Sequence, residues 1–334
     1  MNRARLRASA FMMGYLASPE KVREQIELLN LKDGGQPPYI GAAGVKLAAV
    51  CLAPRIYRNL ADYVGDMNRL VSASAAAGAH LVALPELSGM LPVTLMPGFS
   101  AVLNDWKRST TGDLETPAER FCLACEAVQG FVGEIFHNTM SLLAKSHHLC
   151  IAAGSVYLFE NHQLYNRQYL FSETGEVVGM QNKLFLSRFE QSAGVIAGDA
   201  VTPAETRLGR IALFTGNDVP HCEPFLIAQA MGCAFAVAGA SPFGATAALG
   251  RCRAQESRMC VLSPGLSGGQ ELSLNLHEPS VIYVPRAAAR AGDGVAALSA
   301  DGSATARVDL SRVASQLDLY TDDKNPDFFR ALLR

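Results

Sequence analysis

The stretch VKLAAVCLAPRIYRNLADYVGDMNRLVSASAAAGAHLVALPE, residues 45–86, decides the fold class. Its opening, VKLAAVC, is a short apolar run of strand length. From Asn59 to Ala77, Leu60, Val64, Met67 and Val71 recur at three- and four-residue spacing, which predicts an amphipathic helix. HLVALPE then reads as a second buried strand. Strand, helix and strand within about 40 residues describe a βαβ unit, and such a unit favours an α/β sheet with helices on its faces.

The same alternation continues downstream. Residues Gly89 to Glu115, rich in Pro, Gly, Ser and Thr and carrying the single tryptophan Trp106, read as a long loop, either a lid or a packed surface connection. A long amphipathic segment follows from Pro117 to His148. Apolar strands return at CIAAGSVYLF, LYNRQYLFS and EVVGMQNKLFL, the last two joined by a hairpin turn at Glu173-Thr174-Gly175. RIALFT is a strand ending at Thr215, Pro224 to Met231 a helix, CAFAVAGAS a strand and Ala245 to Met259 a helix. VLSPG, SVIYVP and TARVDL complete the strand set.

Upstream of the deciding stretch, Gly34, Gly35, Pro37 and Pro38 interrupt any regular element. They separate residues 1–44, an N-terminal extension, from a main domain at 45–310 and a C-terminal tail at 311–334. The extension begins with Arg3, Arg5 and Arg7 before ASAFMMGYLAS. The run is broken by Ser9, Gly14 and Tyr15 and meets charges at Glu20 and Lys21, so an amphipathic helix running into VREQIELLNL is expected rather than a cleaved signal. The tail ends on Phe328, Phe329, Leu332 and Leu333, which suits docking on another surface.

Of the 334 residues 49% are hydrophobic and 18% charged, the balance of a globular chain with a large core. Twenty-nine basic against 31 acidic residues give a net charge of -2, far from the basic excess that binding nucleic acid requires. No run of 18 apolar residues predicts a membrane span. Eight cysteines, among which no CxxC pair has a second pair to match it, fit a reduced, cytoplasmic chain better than a disulfide scaffold. Adjacent His147 and His148 point about 100° apart on a helix and cannot share a metal, so neither a metal nor another cofactor is expected.

Three residues draw attention on chemical grounds. Glu86 ends a strand where an open α/β sheet normally holds its site, and burial there suits a general base. Lys183 sits among apolar residues in QNKLFL and needs a partner. Asp218 follows RIALFT in the turn TGNDVP. Together they describe either an acid/base site with an ammonium to stabilise developing negative charge, or surface charges at loop starts. Arg251, Arg253 and Arg258 stand in the same position of choice, between a carboxylate contact and a solvated helix face.

The order and spacing of VKLAAVCLAP, LVALPELSG, LYNRQYLFSETGEVVGMQNKLFL, GRIALFTGNDVPHCEPFLIAQAMGC and RCRAQESRMCVLS resemble the carbon-nitrogen hydrolase, or nitrilase, superfamily from Val45 to about Leu310. The resemblance implies an α/β fold, a four-layer α-β-β-α sandwich paired as a homodimer. It also implies hydrolysis of non-peptide carbon-nitrogen bonds, in which a cysteine thiolate attacks an amide or nitrile. It places the general-base role on Glu86 and the catalytic-lysine role on Lys183. It places the nucleophile position, which reads Cys-Tyr-Asp in the family, on Gly216, with Asn217 and Asp218 following as substrate-binding candidates. Two further departures are Phe185, where histidine is frequent, and a second glutamate expected just after the Gly-Ser of AGSVYLFE, where Glu160 stands two positions late.

The expectation is therefore an amidase-like pseudoenzyme that keeps a pocket for a small amide, nitrile or carboxylate, with no nucleic acid or membrane partner. Two alternatives stand beside it. One is an active amidohydrolase using Cys222 or a water activated by Glu86. The other is a structural or regulatory subunit.

Overall fold

The computed structural model describes residues 12–13, 18–31, 40, 44–108, 116–242, 246–286, 294–309 and 312–313. Arg3, Arg5 and Arg7, the Gly/Pro cluster at 34–38, the side chain of Trp106 and the aromatic end of the tail lie outside the described residues.

The first strand, β1 (Val45–Cys51), shows how the sequence generates layers. Val45, Leu47 and Ala49 enter one buried cluster and Ala48 and Val50 another, because successive strand side chains point to opposite faces. A strand apolar on both faces belongs inside a sheet covered on both sides. β1 is followed by a helix and a parallel strand, β2 (Leu81–Ala83). With helix α1 (Pro19–Leu28) preceding β1, that connecting helix is α2 (Leu60–Ala76), started by the Asn59 side chain accepting from the Asp62 N–H. Tyr63, Val64, Met67, Leu70 and Val71 form its buried stripe.

The described part of the region read as a loop, up to Arg108, is largely helical instead. A 3-10 helix spans Ser88–Leu95 and α3 spans Phe99–Arg108, with Gly98 at φ +79° breaking the chain between them. Density of Pro and Gly hid two short helices, the first of which buries Leu91, Pro92 and Thr94. Next comes α4 (Pro117–His147), opened by a capping box between Thr116 and Glu119 and closed by His148 in the left-handed region.

The strands β3 (Cys150–Glu160), β4 (Gln163–Phe171) and β5 (Val177–Asn182) form two antiparallel pairs, of which β4-β5 is the hairpin read from the sequence. A short helix, α5 (Arg188–Ser192), precedes β6 (Ala204–Thr206) and β7 (Gly209–Thr215). Then follow α6 (Glu223–Ala230), β8 (Phe235–Gly239), α7 (Ala247–Ser257) and β9 (Cys260–Ser263). A small ribbon pairs β10 (Leu266–Gly268) with β11 (Leu276–Glu278), and β12 (Ser280–Tyr283), β13 (Val295–Ser299) and β14 (Gly302–Val308) end the described fold.

Two six-stranded sheets result, ordered β14-β1-β2-β3-β4-β5 and β13-β12-β9-β8-β7-β6. Each carries two parallel pairings at its centre and antiparallel strands outside them. Leu47, Leu81, Leu170, Leu213, Phe235 and Leu262 fill the space between the sheets. α2 and α4 cover the outer face of the first sheet, and α6 and α7 cover that of the second. This is the four-layer α-β-β-α sandwich.

Candidate active site

The site forms where the inner strands of both sheets end. Glu86 lies three residues past β2, in a turn pinned from both sheets. Its N–H donates to Ala240 O at 3.2 Å, beyond the end of β8. The Leu87 N–H donates to Ser155 Oγ at 3.1 Å, and Ser88 Oγ donates to Ala153 O at 2.6 Å, both on β3. Gly154 permits this approach. Its φ is +74°, and a Cβ there would lie 2.0 Å from Pro85 O and 2.1 Å from Ser88 Oγ. The register of β3 against β4 slips at the same place, between Ala152 and Ser155.

Lys183 follows β5, and its Nζ donates to Glu86 Oε1 at 2.8 Å. The same ammonium lies 2.9 Å from Glu190 Oε2 and 3.0 Å from Glu190 Oε1. Asn166 of β4 bridges the two acids, its Nδ2 donating to Glu86 Oε1 at 2.9 Å and to Glu190 Oε1 at 3.0 Å. Tyr157 of β3 donates its hydroxyl to Glu190 Oε1 at 3.0 Å. The side chains of Glu86, Lys183 and Glu190 are at most 4% exposed, so one buried ammonium faces two buried carboxylates. Burial alone would lower the Lys183 pKa, but Glu86 and Glu190 hold it above the usual lysine value. Glu190 is displaced the other way: burial opposes ionisation, yet Lys183 and the Ser187 N–H hold its carboxyl below the usual range.

Glu190 is the second carboxylate of this cluster and the sequence reading missed it. Glu160, considered for that place, is exposed and pairs with Arg167 instead. Glu190 is hidden in a capping box: its Oε2 accepts from Ser187 N and Oγ at 2.8 Å each, and its own N–H donates to Ser187 Oγ at 3.2 Å. The Ser-x-x-Glu spacing of SRFE was a visible helix-start signal beginning four residues after Lys183, but it announces a cap before it announces chemistry. Asn166 and Tyr157, inside strands quoted for their apolar pattern, carried no separate signal.

Gly216 directly follows β7, at φ +32°, in a 3-10 turn Gly216–Asp218. A Cβ on it would lie 2.1 Å from Glu86 Oε2 and 2.7 Å from Ser241 Cβ. Gly216, Glu86 and Lys183 are thus brought together at the strand ends. Asp218 is fully buried. Its Oδ1 accepts from the N–H groups of Leu184 at 2.9 Å and Phe185 at 2.7 Å, and its Oδ2 from Thr215 N–H at 3.0 Å. The carboxylate therefore clamps the end of β7 to the segment after Lys183, while burial pushes its pKa up to about 6 against those bonds. Asn217 beside it is half-buried. Phe185 stacks on His221 with ring centroids 3.6 Å apart and 10° between planes. Cys222 is half-buried at the start of α6, and Arg253 of α7 is buried with its Nη1 3.0 Å from Glu256.

A cavity of 160 Å³ opens beside Glu86, walled by Leu52, Leu87, Met90, Leu91, Phe99 and Leu274 among others. Among the described residues no group of three or more His, Cys, Asp and Glu side chains is placed to hold a metal, and no helix is long and apolar enough to cross a membrane.

The four-layer α-β-β-α sandwich places the chain in the nitrilase-like class of α/β folds. Residues 46–316 match the family model for carbon-nitrogen hydrolase, and the chain belongs to that family. No curated protein matches it significantly. Among solved structures it is similar to a carbon-nitrogen hydrolase from Helicobacter pylori G27, at 15% identity and a TM-score of 0.66, covering 88% of this chain and 99% of that one. It is also similar to the NitFhit protein of C. elegans, at 17% identity and a TM-score of 0.63, covering 85% of this chain but 66% of that one. A third is a mutant of the amidase from Nesterenkonia sp. AN1, which carries the acetamide moiety of fluoroacetamide on its active-site cysteine. It shares 15% identity at a TM-score of 0.63, covering 88% of this chain and 98% of that one.

Proposed function

We propose that this chain is a catalytically impaired carbon-nitrogen hydrolase that retains a small-molecule pocket beside Glu86. The observation that carries the proposal is Gly216. It stands where the resemblance puts the nucleophile, and Glu86 Oε2 fills the space that a side chain on it would need. Hydrolysis of an amide through a covalent intermediate requires a nucleophile. Glu86 lines the pocket with Lys183 and Glu190 buried behind it, but with no thiolate among them no thioester forms. Removing a catalytic nucleophile costs several orders of magnitude in rate, so the working role is binding.

The active alternative routes catalysis through Cys222 or through water activated by Glu86. Among the described residues, the side-chain hydrogen-bond partners of the Glu86 carboxylate and the Lys183 ammonium are each other, Glu190 and Asn166, which favours the binding role over the thiol. The test is ammonia release from a panel of short amides and nitriles. The proposal expects none above background from the natural chain; turnover that disappears in Glu86→Gln and Cys222→Ala would overturn it. We include self-association and a cytoplasmic setting in the proposal. Ile227 and Met231, four apart at α6, are large apolar side chains left exposed and suit an interface between copies. A monomer by light scattering at micromolar concentration would remove the dimer.

A further inference from the structure

The 160 Å³ cavity beside Glu86 is walled by several elements that the fold ties together. Leu52 follows β1, Leu87 and Leu91 belong to the 3-10 segment, Phe99 opens α3, and Leu272 and Leu274 come from the tip between β10 and β11. The Leu52 N–H donates to Gly265 O at 3.0 Å, and Leu52 O accepts from the Ser267 N–H at 2.9 Å. The Ile56 N–H donates to Glu271 Oε2 at 3.0 Å, which fixes the β10-β11 tip on the segment after β1. A wall held in this way is preformed, and a preformed wall selects by size and shape.

The polar residues of this wall spend their hydrogen bonds inside the protein. Ser88 Oγ donates to Ala153 O at 2.6 Å. Thr94 Oγ1 accepts from the Tyr57 N–H at 3.2 Å and donates to Leu91 O at 2.9 Å. Glu86 Oε1 accepts from Lys183 and Asn166, and its Oε2 is buried beside Gly216, which is not a wall residue. What these side chains present to the cavity is therefore hydrocarbon. An apolar cavity of about 150 Å³ holds one benzene-sized molecule. A ring fills such a space at less cost than a chain, because it has fewer torsions to freeze. Met90 and Phe99 in the wall add thioether and ring contacts that favour an aromatic guest. Resting on the pocket reading above, we infer that the site takes a ligand whose body is a single uncharged phenyl-sized ring, seated against Leu52, Leu91, Phe99 and Leu274.

The experiment compares toluene, phenylacetamide, hexanamide and acetamide on the full chain at about pH 7, by calorimetric titration and thermal shift. Both aromatic compounds should bind, phenylacetamide at least about fivefold tighter than hexanamide, with no detectable binding of acetamide. Leu274→Phe, which fills the cavity from the β10-β11 tip, should weaken both aromatic compounds about tenfold or more. Leu272→Phe serves if that variant fails to fold, and the comparison on the natural chain decides if neither folds. Hexanamide or acetamide binding as tightly as phenylacetamide, no binding of either aromatic compound, or aromatic binding unchanged in a folded filled variant overturns the inference. Failure of the impaired-enzyme reading is seen separately, as ammonia released from phenylacetamide, which a ring-binding cavity would still permit.

Discussion

Replacing Lys183 by Met leaves Glu86 and Glu190 facing each other through Asn166 with no cation between them. In the natural chain the ammonium sits 2.8 Å from Glu86 and 2.9 Å from Glu190, all three nearly water-free. Removing one partner of a buried ion pair costs about 3–5 kcal/mol, because the other charge stays buried and uncompensated. The pair can escape part of that cost by binding a proton. A carboxyl pKa raised by folding makes stability fall as pH rises above the unfolded value, by about 1.4 kcal/mol per unit and per proton. The natural chain runs the other way: Glu190, held below the usual carboxylate range, contributes stability that is present above the unfolded pKa and lost as pH falls. Both effects narrow the gap between the two proteins in acid. Urea denaturation followed by circular dichroism should give a deficit of about 3–5 kcal/mol at about pH 7.5, shrinking to about 1–2 kcal/mol near pH 4.5. Adding Glu86→Gln to Lys183→Met should recover about half of the loss at the higher pH. A deficit below about 1 kcal/mol, or one equal at both pH values, would refute the account of the cluster as a buried, net negative ion triad.

Further outcomes follow from the same geometry. Gly154→Ala forces a Cβ into Pro85 O and Ser88 Oγ at positive φ, so it should lower stability by about 2–4 kcal/mol and weaken ligand binding by displacing Glu86, both read by denaturation and titration. Asp218, whose folded pKa of about 6 exceeds its unfolded value, binds more protons folded than unfolded between about pH 4 and 6, so its contribution falls as pH rises through that window. The stability of the natural chain relative to Asp218→Asn should therefore drop by about 2–3 kcal/mol from about pH 4 to 6.5 in urea titrations at each pH. Thiol labelling of the native protein at about pH 8 should modify exposed Cys252 first and spare Cys125, Cys150 and Cys260, whose pKa values burial raises; simultaneous labelling of all would contradict the packing.

The layers were legible because β1, α2 and β2 each encode burial in their periodicity: one strand feeding two cores and one helix with a single stripe. The two helices between Ser88 and Arg108 were not, since Pro92 and Gly98 mark breaks without showing that short helical turns lie on either side. Glu86 and Lys183 announced themselves as charges at apolar strand ends. Glu190 did not, because its carboxylate also serves as a helix cap. Its approach to Lys183 depends on how α5 folds back, which no local pattern records. Asp218 was singled out for substrate, and what the fold adds is that three backbone N–H groups occupy its oxygens.

The central claim is that Gly216 leaves this family member without a covalent nucleophile, and intact-protein mass spectrometry after incubation with fluoroacetamide tests it most directly. The account predicts no Glu86-dependent adduct on any cysteine. A stoichiometric acetamide adduct on Cys222 that vanishes in Glu86→Gln would contradict it.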